Sequence, residues 1–151
     1  MVDGGAAADS ITGTSGIEVL DGGTEDNGKD TLISGGGNDT IYGRAGNDLI
    51  NLQAGVNAGS ILVRAGGGDD VIEVTLDELS NKYTIKGDTG DDTLAVVGSP
   101  TDFDMLVPNT QTVNAFNSIS TIETLAFGTQ DSSYIISGTK TINLSNKVQA
   151  A

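Results

Sequence analysis

Gly-Asn-Asp occurs twice between Gly35 and Asn51, at Gly37-Asn38-Asp39 and Gly46-Asn47-Asp48, and each Asp is followed two positions later by Ile41 or Ile50. A glycine turn that recurs after nine residues and always leads into a short extended piece is half of a repeating coil. The pattern continues outward. Asp30, Asp48, Asp70 and Asp92 each follow a Gly by two positions and precede Leu32, Ile50, Ile72 and Leu94 by two, at separations of 18, 22 and 22 residues. Asp9 lies 21 before Asp30, and a weaker ladder, Glu18, Asp39 and Asn57, is offset by about half a coil. Self-similarity near 20 residues describes a solenoid in which every coil stacks on the one before it. Two ladders imply two turn edges.

The fold class expected is therefore all-β, a right-handed parallel β-solenoid or β-roll. In each strand the residue two after the Asp points inward, with Leu52, Val74 and Val96 as inward partners two further on, because strand side chains alternate. Such a narrow interior suits a chain with three Phe, three Tyr and no Trp. Its 22 Gly stand at fixed offsets from Asp, which flexible linkers do not show.

Several function classes fall away on composition. A net charge of −14 argues against nucleic acid and anionic membrane surfaces as partners. There is no Cys for a disulfide or thiolate site and no His, the commonest general base and transition-metal ligand. Neither an 18-residue apolar run for membrane insertion nor a Sec-type leader pattern is found in the sequence. Paired acids such as Asp69 with Asp70 or Asp91 with Asp92 could serve glycoside hydrolysis, but they sit in turns repeated every coil, so no enzyme activity is expected.

In chain order, residues 1–23 form an opening coil of degenerate repeats. Asp21 to Asn27 carries about three residues more than a nine-residue step allows, a bulged turn. Single helical turns are expected at Leu76 to Leu79 and in Ser99 to Met105. After Gly98 the Gly-x-Asp turns stop, and three apolar runs follow: Ile119 to Phe127, Tyr134 to Ser137 and Thr141 to Leu144. Residues 1–98 are thus expected to be the roll and 99–151 a metal-free C-terminal solenoid cap.

Stacked coils would bring equivalent Asp carboxylates to one strand spacing, ~4.8 Å. Two unit charges at that distance repel by roughly 0.9 kcal/mol in water and about 3.5 kcal/mol at an effective dielectric of 20. Seven Lys plus Arg cannot offset 21 acids. A hard divalent cation with six to eight oxygen ligands can, and Ca²⁺ suits carboxylates and glycine-turn carbonyls better than the strictly octahedral Mg²⁺. The alternative is purely structural, with Asp and Asn side chains bonding turn amides.

Here the sequence resembles the RTX family, whose nonapeptide Gly-Gly-x-Gly-x-Asp-x-aliphatic-x winds a calcium-bound parallel β-roll. The units ending at Asp39 and Asp48 match the last Gly, the Asp and the aliphatic, those ending at Asp30, Asp70 and Asp92 match the same core, and first glycines are replaced by Ser34, Arg44, Ala65 and Asp88. The resemblance implies several calcium ions as cofactors, held by Asp30, Asp39, Asp48, Asp70 and Asp92 with Asn57, Asp69 and Asp91, and by turns at Gly37, Gly46, Gly68 and Gly90. The 22-residue coils and the segment Phe116 to Leu125 look like bacterial surface-layer proteins and large adhesins. The function this implies is a calcium-binding structural module of a secreted or cell-surface assembly, or of a virion surface, that folds and self-associates on binding calcium. The alternative is an accessory folding and secretion module of a secreted hydrolase or toxin.

Overall fold

The structure, a computed structural model, describes residues 1–23, 27–52, 59–75, 83–97 and 119–128. Twelve strands alternate between two six-stranded sheets, and every pairing is parallel. Sheet A runs β1 (Val2–Asp3), β3 (Val19–Asp21), β5 (Thr40–Ala45), β7 (Ile61–Gly67), β9 (Tyr83–Thr89) and β11 (Ile119–Ser120). Sheet B runs β2 (Ser10–Thr12), β4 (Thr31–Ile33), β6 (Leu49–Asn51), β8 (Val71–Thr75), β10 (Thr93–Val97) and β12 (Thr124–Gly128). One strand of each sheet makes a coil, so the chain stacks six coils as a parallel β-solenoid. No helix occurs among the described residues; the helical turns expected at 76–79 and 99–105 lie outside them.

Register follows the sequence ladder. Ile11, Leu32, Ile50, Ile72 and Leu94 stand in one row of sheet B, continued by Leu125. Leu20, Ile41, Val63, Ile85 and Ile119 form the facing row of sheet A. All except Leu125, which packs on the cluster partly buried, belong to one buried core, together with Leu52, Val74 and Val96. Each such aliphatic contributes about 1.5–3 kcal/mol on burial, enough for a thin core repeated at every coil.

Coil length is set at the edges and not in the strands. The tightest coil runs from Asp30 to Asp48, 18 positions. On the first edge, where sheet A turns into sheet B, Gly43 to Asp48, Ala65 to Asp70 and Gly87 to Asp92 are each five positions, whereas Gly22 to Asp30 is eight. These three extra residues turn 18 into the 21 between Asp9 and Asp30; residues 24–26 of the expected bulged turn lie outside the described residues. On the second edge Gly13 to Glu18 and Ser34 to Asp39 are five, whereas Leu52 to Ile61 and Val74 to Tyr83 are nine. Four extra residues there give the two 22-residue coils.

Two ion pairs cross between neighbouring coils on the outer face of sheet A. Arg44 of the third coil donates from Nε to Asp21 Oδ1 at 2.7 Å and from Nη2 to Oδ2 at 2.5 Å in the second, with its guanidinium 4.7 Å from the ring centroid of Tyr42. Arg64 of the fourth coil donates to Asp88 of the fifth at 3.0 and 3.2 Å. Arg44 and Asp88 replace a motif glycine yet keep its left-handed backbone, φ 82° and 73°. That conformation is costly for a residue with a side chain, and each of these two side chains makes an ion pair.

Candidate metal centre

The first edge gathers the strong ladder. Asp9, Asp30, Asp48, Asp70 and Asp92 immediately precede register-matched strands, and each carboxylate from Asp30 on reaches back to the coil before it. Asp9 N donates to Asp30 Oδ1 at 2.8 Å, Asp30 N to Asp48 Oδ1 at 2.9 Å, Asp48 N to Asp70 Oδ1 at 2.8 Å and Asp70 N to Asp92 Oδ1 at 2.9 Å. Asp30, Asp48, Asp70 and Asp92 are buried. One oxygen of each of these four carboxylates thus does what the structural alternative required.

In three of them, and in Asp9, the second oxygen does not. Oδ2 of Asp9, Asp48, Asp70 and Asp92 is buried without a hydrogen-bond partner. A buried carboxylate oxygen left in this way costs several kcal/mol unless a cation meets it. Its surroundings fit one. Beside Gly4, Gly22, Gly43 and Gly87, the point a Cβ would occupy lies within 2.7 Å of two oxygens. One is the Oδ2 of Asp9, Asp30, Asp48 or Asp92, and the other is the carbonyl of Gly22, Gly43, Ala65 or Thr121 in the next coil. Glycine leaves this space open between a carboxylate and a carbonyl, the donor types calcium takes. In the fourth coil the methyl of Ala65 stands at the same place.

Electrostatics agree with the geometry. Burial, aided by neighbouring carboxylates, pushes the Asp48 carboxyl up to about 6 and that of Asp70 up to about 7. Burial likewise raises Asp92 and Asp39. By contrast Arg44 holds Asp21, also buried, below the usual carboxylate range. A ladder of carboxylates that resists ionising is a ladder short of positive charge.

The other expected residues divide by place. Asp69 and Asp91 are exposed and belong to an outer row with Asn47: Asp69 N donates to Asn47 Oδ1 and Asp91 N to Asp69 Oδ1, both at 3.0 Å. This row bonds in the opposite direction to the buried one, so each turn is held by the coils on both sides. Gly46, Gly68 and Gly90 stack in one column at φ 129°, 123° and 138°, each Cα against the carbonyl of the equivalent Gly28, Gly46 or Gly68. Gly37, at φ 93°, packs in the same way on Gly16 across the second edge.

The second edge is shorter. Glu18 N donates to Asp39 Oδ1 at 2.9 Å, and Oδ2 of Asp39 and Oγ of Ser34 are buried without partners. Asn57, the expected third rung, lies outside the described residues, and the position in register with Asp39 is Ile61, followed by Tyr83. Gly59 N on Gly37 O and Ser60 N on Asn38 Oδ1 continue the stack into Ile61. The ladder turns apolar after two rungs.

Among the described residues no three acidic side chains converge as a metal cluster. Oxygen donors here are single carboxylates with turn carbonyls. Neither the curated proteins nor the solved structures gave a match. The family model of the RTX calcium-binding nonapeptide repeat matches residues 26–57 in four copies. That span includes Asp30, Asp39 and Asp48, so the chain carries RTX calcium-binding nonapeptide repeats wound as a parallel β-roll.

Proposed function

We propose that this chain is a non-catalytic structural module of an extracellular assembly, a surface layer, an adhesin or a virion surface, which calcium folds and brings into self-association. The observation that carries the reading is the file of buried, partnerless Oδ2 atoms along the first edge. RTX repeats typically occur in secreted proteins. Residues 1–98 hold most of the ladder.

Calcium acts through mass action. A site of Kd ~10⁻⁴ M adds about 1.4 kcal/mol at ~1 mM calcium and almost nothing below a micromolar. Four such sites sum to about 6 kcal/mol, comparable with the whole stability of an ordinary domain. The chain is then loose where calcium is scarce and folds where it is abundant. Bound calcium supplies the charge that Asp30, Asp39, Asp48, Asp70 and Asp92 lack; the residues themselves set coil spacing through their amide bonds.

A calcium titration followed by far-UV circular dichroism and light scattering tests this, with magnesium as control. The expected result is β signal that develops near millimolar calcium, with a rise in scattering as the coils associate. A chain equally folded in chelator refutes the calcium reading, and full folding without scattering refutes self-association.

A further inference from the structure

The ladder does not stop where the Gly-x-Asp motif stops. Thr93 pairs with Thr124 and Leu94 with Leu125, so the residue in register with Asp92 is Glu123. Asp92 N donates to Glu123 Oε2 at 2.9 Å, the length of the Asp70 to Asp92 bond. Thr124 N donates to Asp92 O at 2.9 Å, continuing the series made by Thr93 N on Asp70 O and Val71 N on Asp48 O. Glu123 is the sixth rung. It stands 31 positions after Asp92 in a turn that passes from Ser120 to Thr124 through only three residues, and a side chain one methylene longer than Asp spans the difference.

Two further observations point to a ligand at this rung. Oδ2 of Asp92 is buried and partnerless, and it borders the open point beside Gly87 together with the carbonyl oxygen of Thr121. Thr121 is also the one described β-branched residue in the left-handed region, φ 51°. Its hydroxyl accepts from Asp88 N at 2.9 Å and donates to Ser120 O at 2.7 Å. A strained residue fixed on both sides presents its carbonyl to the same place as the orphan carboxylate oxygen.

We infer that Asp92, the Thr121 carbonyl and Glu123 form a terminal site for a hard divalent cation, calcium by donor type, which fastens the sixth coil to the roll. The site rests on the calcium-binding function proposed for the first edge but lies outside residues 26–57, uses two donors that belong to no Gly-x-Asp turn, and reaches into the region expected to be metal-free. It makes the last metal a clasp between the repeats and the C-terminal coil.

Counting bound calcium by native mass spectrometry in the full chain and in Glu123→Gln tests it. Gln keeps an acceptor for the Asp92 amide and removes the charge. The expected result is one ion fewer in the variant, with hydrogen exchange in 119–128 rising to the chelated level while 40–97 stays protected. Loss of no ion, or of more than one, overturns the terminal site. A parent chain that binds no calcium overturns the calcium reading itself, a separate outcome.

Discussion

The two turn edges share a core and a strand register yet differ in what they carry. Along the first, an acidic residue stands at every coil from Asp9 to Glu123; along the second, Glu18 and Asp39 give way to Ile61 and Tyr83. On the second edge the change comes with turn length, although the first edge keeps its acid through an eight-position step at Asp30. A five-position step holds carboxylate and glycine carbonyl in one place coil after coil, whereas nine positions from Leu52 to Ile61 let an apolar side chain take the acid's position and join the core. Coils therefore pair in register whether the turn ends in a carboxylate or in an apolar side chain. A carboxylate ladder and an aliphatic plug are two ways to close the same coil.

The sharpest way to break the first edge is its glycine column. A methyl at Gly46 or Gly68 would run into the carbonyl of the coil before, at a φ that disfavours any side chain. Gly46→Ala or Gly68→Ala is expected to cost about 3 kcal/mol or more, abolishing the calcium-induced β signal at 25 °C. Gly67→Ala, whose nearest neighbour would be Thr89 Oγ1 at 3.3 Å, should leave that signal within error.

A smaller effect should separate metal from hydrogen bond. Asp48→Asn keeps the acceptor for the Asp30 amide and removes the charge, so it is expected to raise the calcium midpoint about tenfold, roughly 1.4 kcal/mol. Glu18→Gln, on the exposed start of the second edge, is expected to move it less than about twofold. If the two shifts are equal, or if Asp48→Asn stabilises the chain in calcium, the contrast between edges disappears.

Acid titration gives the mildest probe. With the carboxyls of Asp48 and Asp70 at about 6 and about 7 against an unfolded 3.8, the metal-free fold holds more protons than the unfolded chain. Their contribution is fully present below pH ~4 and is lost as pH rises through 6 and 7. In chelator, far-UV β signal should therefore be greater at pH 5 than at pH 7.5. In calcium the order should reverse, because the ion competes with those protons. A chelated chain more stable at pH 7.5 contradicts the burial of these carboxyls.

Much of this is legible in the spacing. Asp-to-Asp distances carry the coil, the first ladder and its inward partners, because one glycine turn of fixed length repeats with little change. The second edge misleads because counting from Asp39 to Asn57 assumes the 18-residue coil, and the four residues added between Leu52 and Ile61 move the register on to a residue that is not acidic. Glu123 escapes for the opposite reason: its turn is shorter and lacks glycine, and only strand pairing shows it above Asp92. Asp69 and Asp91 look like metal ligands in the sequence because adjacency to an Asp says nothing about which way a side chain points. In the structure they join Asn47 in the outer row, where Asn47 and Asp69 accept amides at the surface.

The two clamps on sheet A bear on a hazard that every repeat chain faces, stacking with one coil omitted. Near-identical glycine-rich rungs would accept such a slip at little cost to the core, since register is weakly specified where strands look alike. The clamps do not repeat, however: the acid precedes the arginine in Asp21–Arg44 and follows it in Arg64–Asp88. Fourth coil on second would set Gly66 in the place of Arg44 and bring Arg64 into direct register with Asp21; fifth on third would bring Asp88 into direct register with Arg44. Each misthreaded stack trades a diagonal, two-bond clamp for a directly opposed pair. The native order of the coils is thus marked by the diagonal offset of four side chains on sheet A.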